Sequence, residues 1–191
     1  MEAARVLMHD RGYTAIGVAE ICQRANVRKG SFYYFFDSKQ ALTEATLRAT
    51  WKLERVRWVE ILEAGNALDG LEALIREQVQ VQKDRRAMGS SIGCLYGNLA
   101  LEINASEQDL RNCLREILDD QSQLVLGALV GAASNGSLNQ AMASKDNARA
   151  VIAQLEGTVL LAKLYDDPSL LNTLWRQIRG LLGIVMVANQ A

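Results

Sequence analysis

A single proline among 191 residues argues against a β-rich chain, because sheets joined by tight turns need far more punctuation than helices do. There is one histidine, His9, beside Asp10. It reads as a solvated helix end, and no Ser/His/Asp or Cys/His constellation can be assembled around it. Three cysteines, Cys22, Cys94 and Cys113, show no CxxC spacing. Their odd number and the lack of a leader pattern exclude a disulfide framework and point to the cytoplasm. The longest apolar run, Leu181–Ala188, is too short to cross a bilayer, so no membrane partner is expected. Glycine-rich phosphate loops and paired carboxylates are missing as well. Glu102, Glu107 and Asp109 read as a helix boundary rather than a metal cluster. No metal or cofactor is implied, and the chain is not read as an enzyme.

What is present is an ordinary globular composition, 49% hydrophobic and 23% charged. The net charge of −1 is unevenly spread. Residues 1–48 hold seven Lys/Arg against five Asp/Glu, and the remainder fourteen against seventeen. A mildly basic head on an acidic body is compatible with DNA binding, although +2 is small against the charge of a groove.

Helical periodicity runs through the whole chain and predicts an all-α fold. Ala3, Ala4, Leu7 and Met8 already keep helical spacing with no cap before them, so the first helix is expected to be truncated. It ends near Gly12. Short helices follow over about 18–24 and 28–34. Asp37-Ser38 opens a long helix to about Leu62. Ala64-Gly65-Asn66 breaks it before a helix over about 68–85. Met88–Gly93 is a loop, and a short helix covers Leu95–Ile103. Ser106 is expected to cap a long helix ending near Gly136, and Ser144 a helix over about 145–165. Pro168 suits the first turn of a final helix.

The stretch Val18–Phe36 has the make-up of a helix-turn-helix. Such a motif needs a small residue where its helices cross, a turn that reaches left-handed dihedrals, and apolar pins. Cys22 is the small residue, and Asn26 suits the turn. Ile21, Ala25, Val27 and Phe32 are the expected pins. The second helix then opens with Arg28, Lys29, Gly30 and Ser31, which would meet a major groove.

The run Gly12-Tyr13, Val18-x-Glu20-Ile21-x-x-x-Ala25-x-Val27, Gly30-x-x-Tyr33-x-x-Phe36-x-x-Lys39-x-x-Leu42 resembles the N-terminal domain of TetR-family repressors. The resemblance implies a three-helix DNA-binding domain over 1–42 and a helical ligand-binding and dimerisation domain over 43–191. It implies that Gly30 allows close approach to DNA and that Tyr33 hydrogen-bonds a phosphate. Lys39 would contact the DNA backbone from a helix start. Arg28, Lys29 and Tyr34 would read bases or phosphates, Arg28 first because its fork matches a guanine edge. The sequence departs from the family at Ile16-Gly17, where a hydroxyl is common, at Arg28, and at Phe35, where His is common.

The resemblance also implies a two-fold dimer on a palindromic double-stranded DNA operator, released by a small molecule bound in the body. The broad stripes of the last two helices, with Leu155, Val159, Leu171, Leu174, Ile178, Leu181 and Val185, are expected to form the dimer interface. An internal core is the alternative. Gly93-Cys94-Leu95-Tyr96 through Glu102 is similar to a block in TetR-like regulators, some of which respond to electrophiles or oxidants. Cys94, near a helix start, is the candidate sensor and Lys163 its charge partner. The plainer reading makes Cys94 a small buried hydrophobe and lets Lys163 reach solvent. Trp51, Trp58, Tyr96, Asn98, Glu102, Cys113 and Trp175 are further pocket candidates. A helical interaction module, or a small enzyme without DNA binding, is the alternative for the whole chain.

Overall fold

The computed structural model describes residues 1–104 and 106–184. Those residues form helices joined by turns, with no strand among them. The helices are α1 (Glu2–Arg11), α2 (Val18–Arg24), α3 (Lys29–Phe35), α4 (Lys39–Glu63), α5 (Ala67–Ala87), α6 (Leu95–Glu102), α7 (Gln108–Ser134), α8 (Lys145–Leu164) and α9 (Leu174–Leu181). Short 3-10 turns cover Gln140–Met142 and Pro168–Thr173. The chain divides into two compact units, Met1–Arg55 with Gly93–Asp119, and Val56–Ile92 with the residues after Asp119.

Local chemistry accounts for most of the helix ends. Gly12 stops α1 at φ 88°, and Asn26 turns the chain between α2 and α3 at φ 54°, both in the left-handed region. Ser38 Oγ accepts from Ala41 N–H at 3.0 Å, Asn66 Oδ1 from Leu68 and Asp69, and Ser144 Oγ from Asn147. Each satisfies an amide that the first turn leaves without a helical partner. Gly17 offers α2 no side-chain cap, as Ile16-Gly17 suggests.

Ser106 does not cap α7. Its hydroxyl donates to Asn104 Oδ1, and Glu107, one residue on, takes the first helical amide through its carbonyl. The expected last helix is split. Asp167 accepts from Ser169 N–H, and Pro168 leads a 3-10 turn before α9 begins at Leu174.

In the first unit the reading head closes on Ala4, Met8, Tyr13, Ile16, Ile21, Cys22, Phe32 and Leu42, all nearly inaccessible. Ile21 and Phe32 pin the motif as expected, but Ala25 and Val27 are exposed. The turn at Asn26 carries them off the inner face. Ile16, the side chain that departs from the family pattern, is itself a core residue.

In the second unit α8 packs on the 3-10 turn at Pro168 and on α9, and both also meet α5. Leu155, Val159, Leu171, Leu174 and Ile178 are buried inside this single chain. They therefore form the unit's own core, not a surface for a mate. The stripe read from sequence was real, but apolar periodicity reports burial without naming the partner. Of the expected interface only Leu181 is exposed, and Val185 lies outside the described residues. The solvent side of α8 carries Arg149, Ala153, Gly157, Leu160, Leu161 and Leu164. No described helix is long and apolar enough to cross a membrane.

Candidate nucleic-acid interface and sensor helix

The recognition helix α3 is short and nearly all of it faces solvent. Arg28 is its N-cap, one residue before the helix proper, and only Phe32 is buried. At 100° per residue, Gly30 and Tyr34 point directly away from Phe32. Lys29 and Tyr33 fall on one flank, and Ser31 and Phe35 on the other. The Lys29 ammonium lies 6.0 Å from the Tyr33 ring centre, and the Tyr33 ring meets Phe32 edge-on at 5.0 Å. Nothing lies within 4 Å of where a side chain at Gly30 would begin. Arg24, Arg28 and Lys29 pair with no carboxylate among the described residues. The surface is therefore a cationic, donor-rich ridge with a flat spot at Gly30, suited to a polyanion.

Lys39 is not a free cation on that ridge. Its ammonium donates to the carbonyls of Tyr13 at 2.9 Å and Ile16 at 3.0 Å, and it lies 4.2 Å from the centre of the Tyr13 ring. The expected side-chain phosphate contact gives way to an internal clamp on the loop that leads into α2. Both carbonyls sit where the chain leaves helical geometry and lacks backbone donors.

Helix α6 is tied to the head at both ends. Before it, the Gly93 carbonyl accepts from His9 Nε2 at 2.9 Å, so His9 carries its proton on that nitrogen. His9 is 3% exposed, contrary to the solvated end read from sequence. After it, the Glu102 carboxylate accepts from Thr14 N–H at 2.8 Å and Thr14 Oγ1 at 3.0 Å. It presses on Gly12 so closely that a Cβ there would sit 2.6 Å from Glu102 Oε1. Glu102 is thus a latch on the head, not a pocket wall. Glu107 adds a third tie by accepting from Tyr13 Oη at 2.6 Å, and burial, then this bond, holds the phenol well above its ordinary pKa.

Cys94 sits at the N-cap of α6, half-buried, with Sγ accepting from Gly97 N–H at 3.5 Å. Tyr96 is buried beside it, its hydroxyl committed to Glu54 at 2.6 Å and its ring edge-on to Trp51 at 6.4 Å. Burial, and then Glu54, push that phenol far up. Asn98 lies one turn further along α6, half-buried. Cys113 is fully buried, and burial pushes its thiol up to about 11. It is protonated at neutral pH and a poor sensor.

Trp58, Lys163 and Trp175 belong to the other unit. Trp58 is core, Lys163 is exposed on α8, and the Trp175 indole N–H is buried without a partner among the described residues. Sequence reasoning missed His9, Thr14 and Glu54. Their partners lie 84, 88 and 42 residues away along the chain, beyond any local pattern.

A helix-turn-helix with an exposed cationic recognition helix, on an all-helical body, defines a DNA-binding transcriptional regulator. Residues 1–46 match the family described as bacterial regulatory proteins, tetR family, and residues 67–178 match the tetracyclin repressor-like C-terminal domain. The chain belongs to the TetR family. It is 28% identical over 179 residues to an uncharacterized HTH-type transcriptional regulator of Lactococcus lactis, across 91% of this chain and 86% of that protein. It is 29% identical over 132 residues to the HTH-type transcriptional repressor NemR of Escherichia coli K12, across 69% of this chain and 64% of that one. The crystal structure of E. coli NemR in its reduced form superposes with a TM-score of 0.85 at 26% identity, covering 97% of this chain and 96% of that chain. A regulatory protein TetR from Rhodobacter sphaeroides gives 0.80 at 27% identity, with 93% of each chain covered. The protein is a DNA-binding transcriptional regulator of this family.

Proposed function

We propose that the chain represses transcription as a homodimer on a palindromic operator, and that a thiol-reactive small molecule releases it by modifying Cys94. Arg28, Lys29, Gly30, Ser31, Tyr33 and Tyr34 make the DNA contacts, while Lys39 holds the loop that aims them. The single observation that carries the sensor assignment is the place of Cys94. Its sulfur caps α6, and the carbonyl of the preceding residue is the one that His9 of the head holds.

The chemistry is a conjugate addition. Sγ bonds to the β-carbon of an α,β-unsaturated carbonyl, and the thiol proton ends on the α-carbon, so nothing leaves. The thioether adds bulk at the first turn of α6 and disturbs the Gly97 cap. Movement there is passed to Gly93 and so to α1. The solved NemR relative being described as a reduced form supports a redox or thiol input in this branch of the family.

The test is titration of the DNA upstream of the protein's own gene, with and without N-ethylmaleimide. Wild type is expected to lose at least tenfold in affinity on treatment, and Cys94→Ser to keep its affinity. Equal release in both proteins removes Cys94 from the mechanism. Absence of salt-sensitive, sequence-specific binding removes the operator reading.

The mate is assigned to the exposed side of α8, where Gly157 lets a partner helix approach closely and Leu160, Leu161 and Leu164 supply apolar area, continued by Gly180 and Leu181 of α9. Two-fold symmetry then sets half-sites about one or more DNA turns apart, roughly 34 Å per turn. Leu161→Asp is expected to shift the protein from dimer to monomer in light scattering and to weaken operator binding more than tenfold. A buried leucine is worth about 1.5–3 kcal/mol per copy, and a dimer that survives the change places the interface elsewhere.

A further inference from the structure

Two large rings stand in solvent at the end of the recognition helix. Tyr34 is 82% exposed and Phe35 71%. The rings meet edge to face with centroids 4.9 Å apart. Tyr34 has a hydroxyl to offer DNA, but Phe35 has neither donor nor acceptor. It gains nothing from a phosphate oxygen and nothing from the polar edges of bases. Left in water, it is a largely exposed apolar surface on the cationic ridge.

The major groove presents one apolar feature, the C5-methyl group of thymine. Phe35 lies on the flank of α3 shared with Ser31, and its ring is continuous with Tyr34 on the outward face. The edge-to-face contact holds the ring before DNA arrives, which lowers the ordering cost on binding. We propose that Phe35, braced by Tyr34, reads a thymine methyl in each half-site of the operator and is a specificity-determining residue of this protein. The proposal rests on the head being a DNA reader, and it adds a methyl contact to the polar contacts of Arg28 and Tyr33.

The experiment is selection from random-sequence duplex DNA by the full-length wild type and by Phe35→Ala, Phe35→His and Phe35→Leu, with circular dichroism to confirm folding. The best wild-type duplex is then remade with deoxyuridine in place of the thymine, which removes only the methyl group. Wild type is expected to select a symmetry-related pair of thymines that Phe35→Ala and Phe35→His no longer select, with Phe35→Leu retaining a partial preference. Deoxyuridine is expected to weaken wild-type binding about fourfold per half-site, the effect of one methyl group left in water, and to leave Phe35→Ala unaffected. An unchanged motif with uniformly weaker binding would place the ring against sugar and overturn the proposal. So would indifference of the wild type to deoxyuridine. If the wild type enriches no motif, the operator reading itself fails and takes this proposal with it, an outcome distinct from the other two.

Discussion

Lys39→Met is expected to lower operator affinity about a hundredfold and to reduce the unfolding temperature of the head, while leaving the salt dependence of binding almost unchanged. The two carbonyls that Lys39 satisfies, at 2.9 and 3.0 Å, have no other hydrogen-bond donor among the described residues. A hydrogen bond from a charged donor is worth about 1.5–3 kcal/mol, and an acceptor left buried costs a similar amount. Loss of both bonds and of the contact with the Tyr13 ring adds to about 3 kcal/mol, which at about 1.4 kcal/mol per decade is two decades of affinity if the loop must be re-ordered on DNA. A phosphate-binding lysine behaves differently. Its removal weakens binding evenly, lowers the salt slope by about one, and leaves the fold alone. Salt titration of the variant alongside its thermal melt separates the two roles. A reduced slope with an unchanged melt returns Lys39 to the DNA surface.

Gly70→Ala carries the second large effect, on stability. Gly70 is buried in α5, facing the last turn of α4, where a Cβ would stand 2.5 Å from the Leu62 carbonyl oxygen and 3.0 Å from its carbon. These are backbone atoms of a helix and cannot rotate aside as a side-chain tip would. Helix propensity favours alanine by about 1 kcal/mol, but forced separation of packed elements costs about 1–3 kcal/mol and sometimes more. The net expectation is a loss of up to about 2 kcal/mol, seen as a lower midpoint in urea with an unchanged slope. Gly127→Ala is the control. Nothing lies within 4 Å of a Cβ there, so it is expected to match or exceed wild-type stability. A Gly70→Ala protein as stable as that control contradicts the close approach of α4 and α5.

The pattern of residues revealed the helices, their order and most of their ends, because those are decided within a few residues. Gly12 and Asn26 declare a left-handed turn, and Ser38, Asn66 and Ser144 declare caps. The helix-turn-helix was legible for the same reason. What periodicity could not supply was the identity of a neighbour. The α8 and α9 stripes announced burial, and only the fold shows that the same chain covers them. Glu102 and Lys39 carry charges that suit a ligand or a phosphate equally well from their sequence positions. Their true partners, Thr14 and the Tyr13 and Ile16 carbonyls, are brought up by tertiary structure. His9 misled for a further reason. The face of α1 that meets the α6 region lies beside the face that fills the head, so a second burial surface widened the buried arc without altering the period of the first.

The ties between the head and α6 have a consequence for how the protein is made. His9, Thr14 and Tyr13 find their partners at Gly93, Glu102 and Glu107. On the ribosome the helix-turn-helix therefore emerges long before the residues that complete its unit. A nascent chain that has not reached Gly93 holds the helix-turn-helix and none of these three restraints. These restraints thus arrive later in synthesis than the motif they hold, and a fragment ending at Arg55 would carry the helix-turn-helix without them.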